Sequence, residues 1–375
     1  MERGTVPRVP LPRALHPRPT ITAVADLADV AISTVSRVIN GARTSDEINR
    51  RVRRAIEELG YTPSVAARNL VTRRTDCIGL AVNSTQGPWF SEILLGIEEA
   101  LVPSQKSVLL ASMTLHGEYD PAIVASWIQE RRIDGLILVR FSRRDQPLFQ
   151  LARGAGVAVA LIAPDLPADA AYSVRSDNLS AGALVADHLA ELGHCRFGFA
   201  SGPQESADVR ERLQGLEQRL AQRGIAVDPR FVHFGKAFGG IENAVDYARF
   251  FLGLPPERRP TAVVLGNDIM ALAFMRAVLA HGLQVPRDVS VVGFDGTPDG
   301  EQCWPGLTTV AQATRRMAKD ACRALLRRSN HDPTGKASEQ YPVRLLVRES
   351  SGPPAGAREP QRSAGAAAER RVALK

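Results

Sequence analysis

The 375-residue chain has only four cysteines, Cys77, Cys195, Cys303 and Cys322, widely separated and with no C-x-x-C among them. That excludes a disulfide framework and a cysteine zinc site. No apolar run is long enough to span a bilayer, and the first 19 residues, rich in Pro and Arg, contain no apolar stretch of the kind that directs export. A reduced, cytoplasmic protein with no membrane attachment is expected. Catalytic signatures are missing as well. There is no G-x-G-x-x-G, P-loop, G-x-S-x-G or H-E-x-x-H, and the seven histidines form no metal-spaced pair. Neither enzymatic activity nor a metal or cofactor is expected.

What is present is a globular composition, 44% apolar and 23% charged, long enough for two or three domains. Charge is placed unevenly. Residues 1–75 carry 13 arginines against 7 acidic residues, and residues 353–375 carry five basic residues against two acidic ones. The body between them is mildly acidic, so an anionic partner is expected for the head alone.

The head contains "VADLADVAISTVSRVIN", residues 24 to 40. Val24, Leu27 and Ala28 share one helical face, and Val35, Val38 and Ile39 share another. The gap between them is too short for a strand, so two short helices cross steeply. The second presents Ile32, Ser33, Thr34, Ser36, Arg37 and Asn40 outward: short donors, one apolar residue and one fork-shaped cation, which suits a major-groove reader. A third helix is predicted over Asp46–Leu59, with Val52, Ala55, Ile56 and Leu59 at i, i+3, i+4, i+7, Ser45 as N-cap and Gly60 as terminator. It carries Arg50, Arg51, Arg53 and Arg54. After Pro63, Ser64 can cap a short helix with Val65, Ala66, Ala67, Arg68 and Leu70, too short to hold alone in water and so conditional on a partner.

From Cys77 the rhythm changes. Apolar runs at 78, 108, 135, 157, 197, 262 and 289 alternate with helical segments such as 90–102, 121–131, 179–192, 207–223 and 268–281. Repeated β-then-α units imply parallel sheets with helices on both faces, and their number exceeds one ordinary sheet, so two lobes are expected. Polar residues bunch after strands: Asn83 and Ser84, Asp177 and Asn178, Ser201, Asn267 and Asp268, Asp295. Strand C-terminal ends form the ligand crevice in doubly wound sheets, so facing lobes make a cleft for a small polar ligand.

These residues resemble the lactose-repressor (LacI/GalR) family of bacterial transcription regulators. The likeness lies in "TITAVADLADVAISTVSRVIN" and "RVRRAIEELGYTPSVAARNL". It continues through "IGLAV", "GIEEA", "DGLIL", "DHLAELGH", "RERLQG", "NDIMALAFMRAVLAHGLQVPRDVSVVGFD" and "PGLTTV", roughly residues 20 to 350. It implies an α/β fold: an N-terminal helix-turn-helix head (20–63), a hinge helix and linker (64–75), and a two-lobed periplasmic-binding-protein-like core of parallel sheets (76–352). A basic arm (1–19) and a tail (353–375) without leucine heptads are expected to be disordered.

The resemblance also implies roles. Ile32 and Ser33 fall where side chains touch base edges, with Arg37 close to bases. Thr34, Ser36 and Asn40 fall where phosphates are held. Leu70, on the segment with Ala67, falls where a leucine opens the central minor-groove step. Arg212 and Asp295 fall at the effector-binding arginine and aspartate, Trp89 and Phe90 at an aromatic wall, and Ser84, Asp177 and Asn267 at cleft positions. The partners implied are a near-palindromic double-stranded DNA operator, a second copy of the chain, and a small polar effector, a carbohydrate by preference, since an aromatic wall with Asp and Arg suits a ring bearing hydroxyls. Departures from the pattern are Asp29 for a turn glycine, Ala31 for a capping Ser, Ile48 and Asn49 for a Thr-Arg pair, Ser84 for Asp or Asn, and Gly296 for a second Asp.

Competing roles remain open at this stage. Arg37 can pair with Asp26 or Asp29, Arg212 with Glu211 or Glu217, and Trp89 can be plain core. A periplasmic-type binding protein needs an export signal and has no use for the basic head. A Rossmann-like enzyme needs a glycine-rich phosphate loop after the first strand, which "NSTQGPW" does not supply.

Overall fold

A computed structural model describes residues 19–39, 41–62, 74–82, 87–104, 106–112, 119–166, 172–236, 241–329 and 338–355. Asn40, Ala67, Leu70 and Ser84 lie outside these residues, as do the arm up to residue 18 and the tail beyond 355. The chain divides into two compact units, Met1–Thr75 and Asp76–Lys375.

Among the described residues the first unit holds three helices: α1 (Ile21–Ala28), α2 (Ile32–Ile39) and α3 (Asp46–Leu59). Thr20 caps α1 by accepting from the Ala23 amide, and Ser45 caps α3 by accepting from that of Ile48. Gly60 ends α3 with φ 60°, and Asp29 ends α1 with φ 49° and ψ 55°, filling the left-handed position that glycine would otherwise take. Val24, Ala25, Ala28, Val35, Val38, Val52 and Ala55 form the buried core. Leu27 is not part of it. The face of α1 turned to the core runs through Val24, Ala25 and Ala28, and Leu27 is left 47% exposed.

The second unit holds two six-stranded sheets of matching topology. In the first, β1 (Cys77–Ala81), β2 (Ser107–Ala111), β3 (Gly135–Val139), β4 (Ala158–Ile162) and β5 (Tyr172–Ser176) lie in the order 2-1-3-4-5. In the second, β6 (Phe197–Ser201), β7 (Val232–Phe234), β8 (Ala262–Leu265), β9 (Ser290–Asp295) and β10 (Thr308–Ala311) repeat it as 7-6-8-9-10. All these neighbours pair in parallel. Two late strands complete the sheets. β11 (Ser338–Tyr341) pairs parallel with β5, and β12 (Arg344–Leu346) pairs antiparallel with β10. Between the strands run α4 (Pro88–Leu101), α5 (Pro121–Gln129), α6 (Gln146–Gly154), α7 (Asn178–Glu191), α8 (Ala207–Ala221), α9 (Ile241–Gly253), α10 (Asp268–Ala280), α11 (Pro298–Gln302) and α12 (Thr314–Ser329).

The chain crosses between lobes three times: from β5 into α7, from β10 into α12, and from β11 into β12. The crossings are tied together. Ser176 Oγ donates to Gln312 Oε1 at 2.7 Å, and the Asp177 amide donates to the Tyr341 carbonyl at 2.9 Å. In the second lobe, α7 and α8 meet through glycines. A Cβ at Gly182 would stand 2.1 Å from the Arg212 carbonyl oxygen, and one at Gly215 would stand 2.0 Å from that of Leu179. This close approach sets the backbone of Arg212 beside Asn178 at the start of α7.

Candidate functional site

The head offers one exposed polar surface on α2. Val35 and Val38 anchor the helix in the core. The opposite side exposes Ile32, Ser33 and Arg37, with Thr34 and Ser36 half-buried at its edges. Ile32 is 47% exposed although β-branched and apolar. Arg37 makes no ion pair with Asp29, because Arg51 takes that partner. Arg51 Nη2 donates to the carbonyls of Ala28 at 2.6 Å and Asp29 at 3.0 Å and lies 3.2 Å from the Asp29 carboxylate. Arg51 thus holds the turn at the negative end of α1, while Arg37 stays available to a partner. Ala31 supplies no side-chain acceptor to the first turn of α2.

The core brings polar groups together where strand C-terminal ends of the two lobes meet. Arg212 on α8 is almost fully buried. Its Nε donates to Asn178 Oδ1 at 2.8 Å, its Nη1 donates to the Gly266 carbonyl at 2.6 Å, and its guanidinium lies 4.6 Å from the Phe294 ring centroid. Glu211 and Glu217 are not its partners. Burial lowers the Arg212 pKa, opposed by the charges of Asp208 and Asp295. Asn178 Nδ2 donates to Asp208 Oδ1 at 2.8 Å, and Asp208 Oδ2 lies 3.4 Å from Arg140 Nη1, contributed by the loop after β3 in the other lobe.

Asp295, at the end of β9, accepts from Gln312 Nε2 at 2.7 Å. Burial pushes its carboxyl up to about 8, reinforced by Asp268 and opposed by Arg212 and Gln312. Beside it opens a cavity of about 410 Å³ lined by Trp89, Glu92, Thr297, Gln312 and Arg315 among others. That is the size range of small-molecule sites. Asp295 and Trp89 therefore share one cavity, and Arg212 stands close enough to Asp295 for their charges to interact.

Other residues expected at the cleft also have contacts within the fold. Phe90 does not line the cavity: it is 7% exposed and packs in the first lobe's core with Ile93 and Ile97, a core against which the partly buried Trp89 also packs. Asp177 Oδ1 accepts from the Ser180 amide and Asn267 Oδ1 from that of Met270, so both side chains cap their helices. The site residues to which the resemblance assigns no role are Arg140, Asn178, Asp208 and Gln312. Asn178 belongs to a polar pair after a strand, and Arg140 follows a buried apolar strand directly, so the rule of polar residues at strand ends reaches both. Nothing local marks Asp208. Among the described residues no cluster of His, Cys, Asp and Glu fits a metal ion, and no helix is long and apolar enough to cross a membrane.

Known proteins agree with this architecture. Residues 20–64 match the family described as bacterial regulatory proteins, lacI family, and residues 186–351 match the periplasmic binding protein-like domain. The HTH-type transcriptional regulator CelR of Thermobifida fusca is 35% identical over 341 residues, covering 89% of this chain and 98% of its own. A transcriptional regulator CelR–cellobiose complex aligns with a TM-score of 0.67 at 33% identity, covering 89% of this chain and 100% of that one. The lac repressor dimer bound to operator and the anti-inducer ONPF aligns with a TM-score of 0.76 at 26% identity, covering 89% and 99%. With a helix-turn-helix head, a doubled α/β core and relatives of this kind, the chain belongs to the lacI family of bacterial regulatory proteins, DNA-binding transcriptional regulators with an effector-binding core rather than enzymes.

Proposed function

We propose that the chain works in the cytoplasm as a homodimeric repressor of a near-palindromic operator, relieved or reinforced by a small carbohydrate bound between the lobes of the core. The head is taken as residues 20–63, the hinge as 64–75 and the core as 76–352. Ile32, Ser33 and Arg37 read base edges in the major groove, Thr34, Ser36 and Asn40 hold phosphates, and Ala67 and Leu70 act at the operator centre. In the cleft, Trp89 stacks on a sugar ring, while Arg212 and Asp295 engage hydroxyls with help from Ser84, Asp177 and Asn267. The observation that carries the reading is the exposed face of α2, with Arg37 at the surface of a helix whose other side is locked by Val35 and Val38. Support for a sugar comes from the cavity shared by Trp89 and Asp295 and from the CelR–cellobiose relative.

Selection of binding sites from random DNA tests the head. A symmetric sequence with half-sites in successive major grooves is expected, and a single asymmetric half-site rules out the dimeric reading. A melting-temperature screen of sugars tests the core, with Arg212→Ala and Asp295→Ala expected to abolish the ligand-induced shift while DNA binding remains measurable.

A further inference from the structure

Arg140 was not singled out by its sequence, yet its placement is unusual. It sits directly after β3 with φ 59°, a conformation L side chains rarely adopt. Ala163 after β4 (φ 49°) and Asp295 at the end of β9 (φ 123°) share this feature. Three of the five such non-glycine residues described in the second unit thus lie at strand C-terminal ends, where the conformation persists only because surrounding contacts enforce it. The Arg140 amide donates to the Ile162 carbonyl of its own lobe at 2.8 Å, while its side chain reaches the other lobe. Nη1 lies 3.4 Å from Asp208 Oδ2, and Nη2 donates to Ser206 Oγ at 2.9 Å. Ser206 Oγ in turn donates to Asp165 Oδ1 at 2.8 Å, and the Ala207 amide at the start of α8 donates to the same oxygen at 3.0 Å.

The Arg140–Asp208 pair is also joined to the effector arginine. Arg140 meets Asp208, Asp208 accepts from Asn178, and Asn178 accepts from Arg212. Both members of the pair are largely withdrawn from water, with side-chain exposures of 14% and 6%. At 3.4 Å the two groups leave no room for a ligand atom between them, so a ligand reaching this part of the cleft must take over their bonds. A hydroxyl can do so completely, because it accepts from the guanidinium and donates to the carboxylate. A phosphate or carboxylate only accepts. It would satisfy Arg140 but leave Asp208, still accepting from Asn178, without its ion-pair partner and facing a second anion. An ammonium would leave Arg140, still donating to Ser206, without its carboxylate and facing a second cation.

We infer that Arg140 and Asp208 are specificity-determining residues of the cleft: they admit an uncharged polyhydroxyl ligand and reject its phosphorylated or carboxylated counterparts. The inference rests on the reading of the seam as the effector site. The partial neutralisation of Asp295 by burial fits it, since a protonated carboxyl donates to a hydroxyl without adding a further anion.

The test uses the full-length protein, its tryptophan fluorescence and melting temperature, and a panel of neutral mono- and disaccharides, including glucose and cellobiose, with their 6-phosphates. Expected is binding of a neutral member at least tenfold tighter than its 6-phosphate. Asp208→Asn, which keeps a hydrogen-bonding group beside Asn178, should shrink that preference at least fivefold by improving the phosphorylated ligand. Arg140→Gln should weaken the neutral ligand. If Arg212→Ala abolishes binding while Asp208→Asn leaves the preference unchanged, the pair is not the determinant and the cleft reading stands. If none of the three substitutions alters binding, the ligand sits elsewhere and both fall. A panel in which no neutral member binds the parent also overturns the inference.

Discussion

The head and the interlobe seam each place an arginine at the centre of a polar surface, and they treat it in opposite ways. Arg37 lies exposed on α2, its neighbour Asp29 engaged by Arg51. Arg212 lies buried, with Asn178, the Gly266 carbonyl and the Phe294 ring around it. A side chain that must meet a large, strongly hydrated polyanion gains by waiting in water. One that must meet a small ligand gains by being fixed beforehand, so that little ordering is left for the binding step. The same residue type is therefore left at the surface in one region and built into the fold in the other.

The contrast is sharpest in pH. Asp295 holds its proton in the folded state up to about 8, whereas in the unfolded chain it loses it in the ordinary carboxylate range. Its contribution to stability is complete below that range and disappears as pH rises through about 8. Thermal melts across this window should show the core losing stability with rising pH, and Asp295→Asn should remove much of that slope. A variant with an unchanged slope would assign it to other groups.

Arg212→Ala should follow in size. It leaves Asn178 and the Gly266 carbonyl without their donor and removes a positive charge that interacts with Asp208 and Asp295, at a cost of about 3 kcal/mol in unfolding free energy. Arg37→Ala should do the reverse. Its stability effect should stay below about 0.5 kcal/mol, while specific DNA binding loses about 1–3 kcal/mol relative to non-specific binding. Equal losses on the two kinds of DNA would make Arg37 a phosphate contact. Arg51→Ala should cost about 1 kcal/mol in head stability from the lost bonds at the end of α1. No loss in a denaturant melt of the head would show that Asp29 holds the turn unaided.

Much of the fold is legible before folding. Helix α3 has the expected bounds because Ser45, Gly60 and a clean apolar stripe all state them. Strands β1, β3, β4, β6, β8 and β9 read as apolar runs because helices cover both their faces. Strands β5, β7, β11 and β12 do not, being polar or short: "YSVRS", "VHF", "SEQY" and "RLL" carry no continuous apolar signal. Helix α12 hides its stripe among arginines and a lysine. The site divides in the same way. Arg212, Asp295 and Trp89 are marked by family motifs. Arg140 and Asp208 acquire meaning only from each other, 68 residues apart in sequence and on opposite lobes.

The two last strands have a consequence for how such a chain is made. β11 forms the edge of the first sheet and β12 the edge of the second, and both come from residues 338–346. Until that segment leaves the ribosome, β5 and β10 each present an unpaired row of backbone groups, the kind of edge that recruits other strands. A chain ending before residue 338 would lack an outer strand in both lobes at once, although nearly all of either lobe's buried core precedes that point. Completion of both sheets is thus deferred to one short stretch made after the other strands, and termination before it should give aggregates rather than a soluble half.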